Sequence, residues 1–155
     1  MRRILGVLLA LTLCSTLVLA VDGDKAQYVG GTVSALKEKA EGTFSTKDET
    51  QVVFTTKKDG SVSIPYSAIE SLEYGQKAGR RVAVAVMVSP LALFSKKRNH
   101  YLTISYKDES GAEQAAVFEL GKDIVRTTLK VLEVRSKKEI EYQDDEARKS
   151  LGGGK

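Results

Sequence analysis

Two basic clusters bracket one apolar run. Arg80 and Arg81 precede it, Lys96, Lys97 and Arg98 follow it, and residues 82–94 between them, VAVAVMVSPLALF, carry no charge. These residue types suit the capture of an anionic surface. Each cation near a charged membrane contributes about 1 kcal/mol, while apolar side chains such as Leu91 and Phe94 can enter the interface. The partner so implied is anionic lipid or an acidic protein or peptide. Thirteen residues are too few to span a bilayer. The same run reads first as a core element. VAVAVMV is then a buried strand and Ser89-Pro90 opens a short helix, with serine at the N-cap and proline in the first helical position. The two readings part on whether the fold covers the run.

The other motifs do less. Residues 75–81, GQKAGRR, resemble a phosphate-binding loop only loosely, because no Gly-Lys-Ser/Thr opens a helix there. Just before them, Ser67 and Glu70 have the spacing of a capping box, which allows one short helical turn. Pro65 cannot donate to a ladder and should end a strand. His100 is the sole histidine, so a metal site would rest on carboxylates alone beside it. Asp22 and Asp24 lack the ligand string of a calcium loop, and Asp144, Asp145 and Glu146 read as solvated charge. No nucleophile elbow or triad-like set is present, and general bases are few. The expectation is a protein that is not an enzyme and takes no cofactor. The basic residues are not interleaved with aromatics, so no nucleic-acid partner is expected.

These residues belong to a chain that carries an export signal by its pattern. Arg2 and Arg3 lead an apolar stretch, and Val18-Leu19-Ala20 supplies the small residues of a cleavage site, placing the cut between Ala20 and Val21. Removing the two arginines takes the 24 basic residues to 22 against 20 acidic ones, a net charge near +2. The only cysteine, Cys14, falls inside residues 1–20, so the mature chain has no disulfide or thiolate. Leu13 before Cys14 departs from the small residue that a lipidation box takes, so anchoring there is not expected. The expected location is secreted or periplasmic.

The mature chain reads as short strands, then a helix. Residues 21–27 are polar and suit a frayed start. YVGGTVSAL, with Gly30-Gly31 allowing a bulge, opens the strands. GTFST and TQVVFTT form a hairpin, and Asp59-Gly60 marks another before SVSIPY. HYLTISY and QAAVFEL alternate as a further hairpin, with Leu102, Ile104, Tyr106, Ala116, Phe118 and Leu120 on shared faces. The period then changes to that of a helix, where Asp123 can cap and Ile124, Val125, Thr128, Leu129 and Leu132 make a stripe. Leu102, Ile104, Phe118, Ile124 and Leu132 should share one core. KKEIEY can add a short strand, and residues 143–155 read as a disordered, charged and glycine-rich tail.

The order of SIPYSAIESLEYG, KKRNHYLTISY and GKDIVRTTLKVLEVRS resembles the pleckstrin-homology-like superfamily, within it the GRAM-type and bacterial PH-like domains and a group of uncharacterised secreted bacterial proteins. The resemblance spans residues 28–142. It implies a mainly β, α+β fold: a small antiparallel, partly open barrel of about seven strands capped by one C-terminal helix. It further implies a non-catalytic binding module for a lipid headgroup, peptide or protein. The alternative is a peripheral membrane-surface protein held by residues 82–94. Many members grip inositol phosphates with a basic first loop; here Lys37 and Lys39 are offset by Glu38 and Glu41, which does not match that loop.

Overall fold

Alternation of apolar and polar residues at period two, broken by Asp and Gly turns, builds a sheet before it builds anything else. In the computed structural model, which describes residues 24–77 and 99–152, that sheet has eight strands. They are β1 (Asp24–Gly31), β2 (Ala40–Ser45), β3 (Gln51–Thr56), β4 (Ser61–Pro65), β5 (Ile69–Gly75), β6 (His100–Lys107), β7 (Glu113–Leu120) and β8 (Ile140–Tyr142). Two helices follow β7: α1 (Val125–Ser136) precedes β8, and α2 (Asp145–Ser150) follows it. The strand order is β4-β3-β2-β1-β7-β6-β5-β8. The first seven strands pair antiparallel, and β1 is hydrogen-bonded to both β2 and β7.

Local chemistry sets the turns. The Asp48 carboxylate accepts from the Thr50 amide and hydroxyl, each at 2.7 Å, closing the β2–β3 connection as an Asx turn. Those bonds hold the exposed carboxyl below its usual range. Asp108 does the same between β6 and β7, accepting from Ser110 and Ala112. Between β3 and β4, Gly60 takes the positive φ of 91° that the Asp-Gly pair foreshadows. The expected bulge at the glycine pair is present, as a register shift between Tyr28 and Gly30. It brings β1 and β7 so close that a Cβ on Gly31, at φ 143°, would lie 2.2 Å from the Ala115 carbonyl oxygen.

The core fills the concave side and is centred on Phe118. Its ring lies 5.0–5.8 Å from those of Phe44, Phe54 and Tyr28, in tilted or edge-on geometry. Burial pushes the Tyr28 hydroxyl up to about 12. Leu102, Ile104, Phe118, Ile124 and Leu132 do share this one core, with Leu72, Ile64, Val52 and Leu129 beside them. The helical stripe of α1 is thus the lid of the strand interior. At their centres β6 and β7 are buried on the opposite face too, through Tyr101, Thr103, Ala115 and Val117.

Several expectations need correction. The sheet is mixed, because β8 runs parallel to β5 through Leu72↔Ile140 and Tyr74↔Tyr142. The helical crossover from β7 through α1 returns the chain in the direction of β7, which is also that of β5. Residues 24–27 are not frayed. Their backbone pairs with β2 throughout and, at Ala26 and Gln27, with β7 as well, which does not depend on side-chain polarity. Asp123 does not cap α1; the N-cap position is Ile124, and the Gly121 carbonyl takes the amides of Ile124 and Val125. Ser67 makes no capping bond either. Tyr66–Ala68 is a 3-10 turn, and Glu70 instead meets Lys107 at 2.9 Å on the surface. Ile69 and Leu72 both point inward, but through a bulge between Ile69 and Ser71 rather than a helical turn. Residues 145–150 of the expected tail are helical: Asp144 accepts from the Ala147 amide at 2.7 Å, and Ala147 is fully buried.

Candidate functional site

The residues singled out for anion or membrane capture, Arg80, Arg81, Leu91, Phe94, Lys96, Lys97 and Arg98, lie outside the described residues, as do Ala20 and Val21. Of the glycine-rich stretch, Gly75 ends β5 and Gln76 and Lys77 form a bend. In the first loop, Lys37 reaches Asp59 at 3.6 Å and Lys39 sits at φ 65°, so these cations do not form a shared cradle.

The register gathers a different set. Lys25 faces Thr43, and Thr43 faces Thr55. One step along, Gln27 lies between Glu41 on β2 and Glu119 on β7. A cleft of about 760 Å³ is lined by these six residues with Lys57, Gly121 and the small residues Ala26 and Gly42. Gly42 has a steric role here: a Cβ would sit 2.3 Å from the Thr55 carbonyl oxygen, so only glycine lets β2 and β3 approach this closely. At the mouth, the Gly121 amide donates to the Lys25 carbonyl and ties the end of β7 to β1. Thr56 is committed elsewhere, donating to the Gly60 carbonyl and accepting from the Asp59 amide.

The lining offers two ammonium groups, two carboxylates, two free-standing hydroxyl positions and an amide. It can hold a polar ligand bearing both signs of charge. Neither histidine nor cysteine lines it, and among the described residues no three His, Cys, Asp or Glu side chains come together as a metal site. Sequence reading missed the set because its members are ordinary solvent-facing positions of separate strands. The period-two polar rows were visible, but only the register puts them side by side.

A second polar cluster begins across the β6–β7 ladder from the cleft, where His100 faces Leu120. His100, which sequence reading placed at a strand start, has its Nδ1 2.5 Å from the Tyr74 hydroxyl, and that hydroxyl lies 3.1 Å from Ser150 Oγ. Tyr74 is fully buried, its ring roughly parallel to the imidazole. Burial raises the Tyr74 pKa. Burial, then the Lys122 charge, lowers that of His100, against an opposing pull from Glu119. The cluster ties α2 to β5 and β6. Arg148 adds to it from the same helix by lying 5.2 Å over the Tyr142 ring. No protein-family model matches the chain, and no curated protein matches it.

Proposed function

We propose that this protein is an exported, non-catalytic binding module built on a pleckstrin-homology-like, partly open barrel, and that its ligand site is the cleft over β1, β2 and β3. The fold reading is supported by the meander of seven antiparallel strands. Its first and last members pair while β4 and β5 do not, leaving a gap, and α1 covers the interior. The parallel β8 on the β5 edge is an addition to that plan.

The observation that carries the functional reading is the cleft's mixed lining. Lys25 and Lys57 stand with Glu41 and Glu119 around threonine hydroxyls in a space of about 760 Å³. Concave sites of this size with a few convergent polar groups are where small ligands and peptide segments bind. A ligand of single charge would meet repulsion from one pair; a zwitterionic headgroup or a peptide of mixed charge meets attraction from both. The test is amide-shift mapping on the chain from Val21, adding in turn glycerophosphoethanolamine, a pool of mixed-charge peptides and phosphatidylglycerol vesicles. One of the first two should shift Lys25, Gln27, Thr43, Thr55 and Glu119, and Glu119→Gln should weaken the effect. Shifts only elsewhere, or none with any probe, would overturn the assignment.

A further inference from the structure

The cluster at His100 carries an inference independent of the cleft, and it comes from counting hydrogens. Ser150 Oγ lies 2.7 Å from the Ala147 carbonyl oxygen, which can only accept. The serine's single hydrogen therefore goes to Ala147, and Ser150 faces Tyr74 with a lone pair. Tyr74 also has one hydrogen. Spent on Ser150 at 3.1 Å, it leaves the tyrosine oxygen an acceptor toward His100, so the 2.5 Å contact is a bond only if Nδ1 carries the hydrogen. The opposite arrangement, tyrosine donating to Nδ1, sets two lone pairs facing each other at Ser150 or breaks the serine's bond to Ala147. Tyr74 is fully buried while His100 and Ser150 are half-buried, so a bond lost at the tyrosine hydroxyl is made good only in part by solvent. We propose that Ala147, Ser150 and Tyr74 form a one-way relay that holds neutral His100 in its Nδ1–H form and leaves Nε2 a bare acceptor, making it a binding nitrogen for a neutral hydroxyl donor.

The helix thereby acts as a positioning element for a side chain on a strand fifty residues away in sequence. Most free imidazole carries its hydrogen on Nε2, so without the relay the nitrogen would be a donor. The neighbours of His100 fit a neutral donor: burial, then the Lys122 charge, disfavours added positive charge at the ring, and Glu119 offsets this only in part. Coupling is reciprocal. A donor bound at Nε2 favours the Nδ1–H form and so favours a docked α2, and loss of α2 weakens that binding.

The chain has a single histidine, so untagged, ¹⁵N-labelled protein gives one imidazole pattern in a long-range ¹H–¹⁵N correlation spectrum recorded above the His titration. Nδ1 should resonate in the upfield, hydrogen-bearing range and Nε2 in the downfield, bare range. In Ser150→Ala the Tyr74 hydrogen turns onto Nδ1 and the two shifts exchange places, with the amide spectrum of β5 and β6 retained. Acylation of the histidine by diethyl pyrocarbonate, which takes an accessible bare nitrogen, should be readily measured in the wild type and several-fold slower in Ser150→Ala. A wild-type His100 hydrogenated on Nε2, a Ser150→Ala spectrum unchanged from wild type, or a wild-type ring inert to the reagent would each overturn the proposal.

Discussion

Phe118 shows how one position can organise a fold of this size. It sits on β7, the strand between β1 and β6, and three aromatic rings from β1, β2 and β3 close on it. Phe118→Ala should cost about 3–5 kcal/mol, read as a lower midpoint in urea unfolding; a near-neutral result would mean the rings do not converge. His100 makes a prediction of a different kind. Its folded pKa lies below the ordinary 6.5, from burial first and Lys122 second. The folded state therefore binds fewer protons than the unfolded chain as pH falls through that region. The histidine's contribution is fully present above pH 6.5 and is lost on acidification toward its folded pKa. Wild type should lose stability between neutral and mildly acidic pH more steeply than His100→Gln, in paired denaturant titrations. Parallel slopes would mean that the environment of His100 is not selective.

At the scale of elements, the joints between helices and sheet matter more than either alone. Arg135 is not among the buried residues of the α1 stripe. Its guanidinium nevertheless donates to the carbonyls of Thr46 and Asp48 and to the Tyr66 hydroxyl at 3.2 Å, lying 5.5 Å over the Tyr66 ring. One side chain thus fastens the end of α1 to the β2–β3 turn and to the 3-10 turn after β4. Arg135→Ala should cost about 1–3 kcal/mol and move the amide resonances of residues 46–50. Arg135→Lys should recover little of this, because a lysine ammonium lacks the planar guanidinium that stacks over Tyr66 while Nη1 meets its acceptors. At the other joint, α2 is six residues long and could not persist alone. It is held by the Asp144 cap, acids in its first turn and bases in its last, a buried Ala147, and Ser150.

For the whole molecule, the seven-strand meander leaves two edges, β4 and β5, and treats them differently. β4 is short and ends in Pro65, which removes a donor from the exposed edge. β5 is covered by β8. The binding-module reading expects the chain released after export to begin at Val21, which intact mass of the mature protein checks; a lipidated Cys14 terminus would instead place it on a membrane. The same reading expects that chain to ignore phosphatidylglycerol vesicles in co-sedimentation, even at low salt. Binding at low salt that is lost at high salt, and lost when Arg80, Arg81, Lys96, Lys97 and Arg98 are all changed to Gln, would move residues 82–94 to the membrane surface.

Period-two alternation made β3, β4, β6 and β7 legible in the sequence, because burial on one face is written directly into residue type. The turn residues Asp59-Gly60 and the Gly30-Gly31 bulge were legible too, since they answer to local backbone geometry, and the α1 stripe answers to the helical period. For these segments, the sequence by itself therefore determined which are strands or helix and which faces turn inward. It could not show that β8 joins β5 in parallel or that Ala147 is buried, because both depend on where a distant segment returns in space. Nor could it assemble the cleft or the His100 cluster. Lys25, Thr43, Thr55 and Glu119 become neighbours only through strand register, and Tyr74, His100 and Ser150 only once a helix at the end of the chain docks on a sheet built from its middle. Local propensity acts over a few residues, whereas both polar sites are made of pairings across tens of residues, which only the packed tertiary structure brings within hydrogen-bonding distance.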